Sequence, residues 1–288
     1  MQPTKSVLSW TLGLLAGAAM TAAAQQLPLE PIRERGQGVY PVYEGWYKNA
    51  DGTFTFLVGY FNRNTREAID VPVGPNNRVE PGGPDLGQPT HFEPRRGWGV
   101  FTIKVPADFG TKKIVWTVNA NGLNASVPMH LDPNWFIEPF EDAASKNRPP
   151  MLRFEPGGRP FAGPPDGIRA ELTALAGEPL LLALFATDVK PTANLAASRP
   201  GPSRERLDVT WSLFRGPGKV VFSTSKPPVE KADGRANTTA TFDRPGEYVL
   251  RVEANDETGE GGGGFQCCWT SVHVRVTVRP AVQTTGNH

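Results

Sequence analysis

The stretch Pro245-Gly246-Glu247-Tyr248-Val249-Leu250-Arg251-Val252 decides the fold. Strict alternation puts Tyr248, Leu250, Val252 and, one step on, Ala254 on one face, and Pro-Gly in front supplies a turn. A facing strand is present in Val209-Thr210-Trp211-Ser212-Leu213, where Val209, Trp211 and Leu213 again share a face. The two facing strands, each with one apolar side, put Trp211, Tyr248 and Leu250 on faces that a core would bury.

Working outward, Leu180 to Phe185, Gly216-Pro217-Gly218, Thr239-Ala240-Thr241-Phe242, Ala254-Asn255-Asp256 and Val272 to Val278 complete a series of short strands and turns. Together with P-G-x-Y-x-L-x-V, the series resembles PKD-like and cadherin-like members of the immunoglobulin-like superfamily over residues 168–280. The W-D-F-G-D-G signature of PKD domains is replaced here by Trp211-Ser212-Leu213-Phe214. The resemblance implies a buried Trp, a tyrosine corner at Tyr248, and Leu250 where antibody domains carry a core Cys. A fold of this kind hosts many functions and selects none.

Residues 38–135 read as a second sandwich from alternation and turns alone. Phe54, Phe56, Val58 and Tyr60 form one face of a half-buried strand, joined to Val42–Tyr47 by a hairpin at Asn49-Ala50-Asp51-Gly52. Phe101, Ile103 and Val105 alternate with Thr102 and Lys104, and Ile114, Trp116 and Val118 lead to an Asn121-Gly122 turn. Between the sandwiches, residues 136–167 hold Arg148-Pro149-Pro150, Glu155-Pro156-Gly157-Gly158 and Gly163-Pro164-Pro165. These breakers describe an extended Pro/Gly-rich linker pinned by Leu152 and Phe154. The expected class is all-β: two antiparallel β-sandwich domains and a linker, with a tail at 281–288.

The N-terminus has Lys5, an apolar run Val7–Met20, and Ala22-Ala23-Ala24 before Gln25. That is a secretory signal peptide cleaved after Ala24, since the run is shorter than the ~20 residues that span a bilayer. The mature chain is expected outside the cytoplasm of a bacterium, in the periplasm, at the outer surface or beyond it, without membrane insertion. With 30 Lys and Arg against 29 Asp and Glu, no basic field points to nucleic acid.

The adjacent cysteines, Cys267 and Cys268, are the chain's only two. Three readings stand open: a buried thiol at Cys268 beside an outward Cys267, a vicinal disulfide, or a soft-metal thiolate pair. The loop 71–98 offers Asn76, Asn77, Arg78, His91, Arg95, Arg96 and Trp98, a set of amides, guanidinium forks and a ring that suits a glycan or a peptide carboxylate. Its alternative is a Pro-braced surface loop. Asp256 and Glu257, with Glu260 before the Gly261–Gly264 run, are the calcium candidates, although a single acidic cluster without further partners is more often a solvated loop, given the ligand count calcium demands. His273 is expected on the solvent face between valines.

No G-x-S-x-G, H-E-x-x-H or C-x-x-C motif occurs. No cofactor is implied. The sequence therefore points to a noncatalytic exported binding or scaffolding protein with a glycan or exported-protein partner. The alternatives are a cell-surface polysaccharide recognition module and a redox or enzyme accessory protein using the cysteine pair.

Overall fold

The structure, a computed structural model, describes residues 33–143, 146–188, 207–256 and 267–281. The expected signal peptide at 1–24, Glu257, Glu260 and the Gly261–Gly264 run lie outside the described residues. The chain is all-β, and its one helical element among the described residues is a 3₁₀ turn at Pro133–Trp135. No helix is long and apolar enough to cross a membrane among the described residues.

The first half is built on a sheet of β1 (Val39–Lys48), β2 (Phe54–Asn62) and β6 (Arg95–Val105), in that order. Facing it are β4 (Asn77–Glu80), β7 (Ile114–Ala120) and β8 (Leu123–Met129), with a short pair of β3 (Ile69–Asp70) and β5 (His91–Phe92). The Asp51-Gly52 hairpin forms as expected, with Gly52 at φ +83° and Asn49 bonded to Thr53 across the turn. Asn121 and Gly122 both take positive φ and close β7 onto β8. Between the sheets Phe56, Phe92, Phe101 and Trp116 are fully buried.

In the second half, β10 (Ile168–Leu175), β17 (Trp269–Arg279), β16 (Gly246–Asn255) and β13 (Asp208–Arg215) make one sheet. Opposite lie β11 (Pro179–Leu182), β15 (Thr238–Phe242) and β14 (Val220–Phe222). The pairing of β10 with β17 is parallel, a departure from the wholly antiparallel expectation. The quoted stretch opens β16, and Trp211, Tyr248, Leu250 and Val252 sit together in a core with the even-numbered valines of β17.

Segment 136–167 is stitched into the body. Within it, β9 (Met151–Arg153) pairs with β12 (Phe185–Thr187), Leu152 exchanges two backbone bonds with Phe161, and Ile137 N donates to Trp46 O. Leu152 is fully buried in the second core and Ile137 in a small cluster with Tyr47, Leu57 and Trp269. That cluster covers the outer face of the first sheet, so β2 is buried on both faces where alternation had described one.

The described residues belong to one compact unit. Its joint centres on a bulge in β13 at Phe214, where the register with β16 shifts between Leu213 and Arg215. The extra residue re-aims its side chain. Phe214 enters the first core and stacks on His273 with ring centroids 4.1 Å apart. Arg215 donates to both Asp85 carboxylate oxygens and to Gln88 O, and Thr90 N donates to Phe214 O. Arg251 donates to Trp98 O, and Trp269 fills the space beside Gly99, where a Cβ would collide with the indole.

His273 is therefore buried, 6% exposed, rather than on a solvent face. Its Nε2 lies 3.0 Å from Val100 O. The outer side of β17 packs against the first half, a long-range contact that alternation within β17 does not encode.

Candidate functional site

The residues expected to bind in the loop 71–98 are distributed among structural tasks. Asn77 is fully buried: its amide donates to Val71 O and Pro89 O, and its oxygen accepts from Trp116 Nε1. Asn76 is exposed on the adjoining turn and its carbonyl accepts from Asn119 N. Arg78 bonds Glu80 and Pro75 O. His91 lies between Asp70, 2.7 Å away, and Glu93, 3.5 Å away. Burial pulls its pKa down, but these two acceptors outweigh burial and raise it to about 9.

Arg95 is exposed with a left-handed φ of +76°. Arg96 reaches Glu44 at 2.6 Å, donates to Tyr60 O and Gly97 O, and its guanidinium lies 4.0 Å over the Trp98 ring. Burial raises the Glu44 pKa, opposed by Arg96 and by Gly99 N–H. Only Arg96 and Trp98 of the set are brought together by these contacts, and Trp98 also reaches the second half, its carbonyl accepting from Arg251. Asn77 and Arg96 thus spend their donors on backbone carbonyls.

Cys267 and Cys268 are bonded to each other by a disulfide. They are 4% and 1% exposed, so Cys267 does not face outward as expected. Both sit where segment 136–167 meets β17: Asn147 is buried nearby, Thr270 bonds Pro150 O, and Ser271 N donates to Gly163 O. Asp256, the described calcium candidate, is 3% exposed and accepts from Asn147 Nδ2. No group of three or more metal-ligating side chains occurs among the described residues.

The concave site lies elsewhere. A cleft of about 430 Å³ opens on the outer face of the first sheet. It is lined by the β1–β2 turn at Asn49 to Asp51, by Thr102 and Lys104 of β6, and by Phe140, Arg159, Phe161 and Asp166 of the connecting segment. Outward-facing positions of adjacent strands supply the first group, because residues two apart on a strand share a face. The second group comes from the stretch between Pro and Gly breakers, where the chain turns back over the sheet. Thr102 fastens that stretch by donating to Pro165 O.

Charges in the cleft are mostly matched. Lys104 meets Asp51 at 2.7 Å, and its hydrogen bond, with those from Thr53, holds the Asp51 carboxyl below the usual carboxylate range. Arg169 pairs with Asp166 and sits 5.5 Å from the Phe161 ring centroid. Burial pushes the Tyr47 phenol up to about 12, and Asp166 adds to the rise. Arg159 is exposed and has no carboxylate partner among the described residues. Phe140 is 49% exposed and packs edge-on to Tyr47 at 5.4 Å.

The lining comes from separated segments, so no local sequence pattern marks the cleft. The available signal was Phe140 and Phe161, large apolar residues set among turn formers in a stretch without periodicity.

The second half also carries a recognisable corner. Tyr248 Oη donates to Arg244 O at 2.9 Å, four residues back, which is the tyrosine corner of Ig-like sandwiches. Its fold is immunoglobulin-like. No protein-family model and no curated protein matches the sequence. Among solved structures, the D00-D0 domain of intimin is 9% identical, covering 84% of this chain and 99% of that one, with a TM-score of 0.27. The fibronectin(III)-like modules of Clostridium thermocellum CbhA are 11% identical, covering 86% and 98%, with a TM-score of 0.24. The titin Ig tandem A164-A165 is 9% identical, covering 85% and 99%, with a TM-score of 0.22. Scores this low leave the fold to rest on the chain's own strands and corner.

Proposed function

We propose that the protein is an exported, noncatalytic binding or scaffolding module: a leader at 1–24, sandwiches at 38–135 and 168–280, and the segment 136–167 joining them. Its ligand docks in the cleft on the first sheet. The observation that carries this reading is the cleft itself, whose volume of about 430 Å³ lies within the range of about 300 to 1,000 Å³ usual for ligand sites. Its walls combine exposed aromatic surface at Phe140 with polar groups held in place by bonds to one another. A site kept in shape this way binds without first ordering its side chains. The cysteine pair supports a redox role less well, since both sulfurs are buried where an exchanging thiol needs access.

The test is co-sedimentation of the mature chain with a bacterial cell-envelope preparation, native protein against the double variant Phe140→Ala, Arg159→Gln. Retention of the native chain and at least about tenfold weaker retention of the variant are expected, the size that loss of an aromatic contact and a charge-assisted bond gives. Equal retention of both would remove the cleft from the account.

A further inference from the structure

We infer that the cleft on the first sheet takes an acidic saccharide, a short run of sugars carrying carboxylates. This rests on the reading of the cleft as the binding site and goes beyond it by naming the ligand's chemistry. Three features converge. Phe140 and Phe161 offer apolar ring surface, which suits the C–H face of a pyranose. The Asp51–Lys104 pair sits on the floor beside Asn49, Thr55 and Thr102, so acceptors and donors lie together for neighbouring hydroxyls.

Charge supplies the third. Two cation–carboxylate pairs, Lys104 with Asp51 and Arg169 with Asp166, cancel within the lining. Arg159 is left over as an exposed fork of donors with no carboxylate partner among the described residues. A guanidinium in this position recognises a carboxylate by two parallel hydrogen bonds, a geometry that Lys does not reproduce. One unmatched cation among otherwise matched charges fits a ligand with one carboxylate per sugar better than a densely charged phosphate chain. An acidic peptide is the competing ligand. It is disfavoured because the groups of the floor, Asn49, Asp51, Thr55, Thr102 and Lys104, are side chains spaced for hydroxyls and flanked by aromatic rings, although β6 lies at the edge of its sheet.

Isothermal titration of the mature chain with tetragalacturonate, the neutral galactotetraose and tetraglutamate separates these cases. The expected result is binding of tetragalacturonate at least about tenfold tighter than either of the other two, the margin of one bidentate ion pair. Arg159→Gln should bring the two saccharides within about twofold of each other, and Arg159→Lys should restore only part of the difference. Phe140→Ala should weaken both saccharides together. Because Arg159 and Phe140 are exposed, these variants keep the fold, which an unchanged Tm checks.

Equal binding of the two saccharides to the native chain overturns the acidic assignment. Tetraglutamate binding as tightly as tetragalacturonate overturns the saccharide class. Absence of all binding overturns the inference alone if envelope retention still depends on Phe140 and Arg159, and overturns the binding reading as well if it does not.

Discussion

Acidification should open the joint between the two halves through His273. Its Nε2 faces Val100 O at 3.0 Å, its ring lies against Phe214, and burial, followed by the nearby Arg251, holds its pKa down from 6.5 to about 3. In the unfolded chain the same imidazole takes its proton near 6.5. Between pH 6.5 and 3 the unfolded state therefore binds more protons, and folding stability falls as pH falls. The contribution is whole above pH 6.5 and reaches its floor below about 3. The slope approaches about 1.4 kcal/mol per pH unit, so from pH 6 to pH 4 this one group removes about 2.5 kcal/mol.

Asp70 and Asp85, whose pKa values are lowered by His91 and Arg215 respectively, also lose stability in acid, so the effect must be isolated by difference. Urea unfolding of the native chain and of His273→Gln at both pH values provides it. The native chain should lose about 2.5 kcal/mol more than the variant over that interval. Parallel losses would refute the placement of a neutral His273 in the joint.

Two further outcomes are expected. Leu152→Ala should cost about 2 to 5 kcal/mol in chemical denaturation, as for a fully buried leucine, whereas a loosely attached connecting segment would show almost no change. The unreduced, denatured protein should take up no thiol-alkylating reagent at Cys267 or Cys268 and should label at both after reduction, read by mass spectrometry. Label before reduction would show the pair open.

What the sequence disclosed depended on how local the determining contacts are. The β16 face of Tyr248, Leu250 and Val252 was legible because alternation and the preceding Pro-Gly are encoded within a few residues. The β1–β2 hairpin was legible for the same reason. His273 was misplaced since its cover comes from Val100 and Phe214, and the bulge that re-aims Phe214 leaves no mark in a period-two pattern. In the loop 71–98 a surplus of Asn, Gln and Arg suggested a ligand, while Asn77, Gln88 and Arg96 are engaged with the protein's own backbone carbonyls. The cleft escaped notice because Asn49, Lys104, Phe140 and Arg159 approach one another only after the connecting segment folds back over the sheet.

Amide chemical-shift mapping of residues 25–288 titrated with tetragalacturonate tests the central claim most directly. The account predicts perturbations concentrated at Asn49 to Thr55, Thr102, Lys104, Phe140 and Arg159 to Arg169, with the resonances of Asn76 to Arg78 and His91 to Trp98 unmoved. Shifts centred on that second group, with the cleft silent, would contradict it.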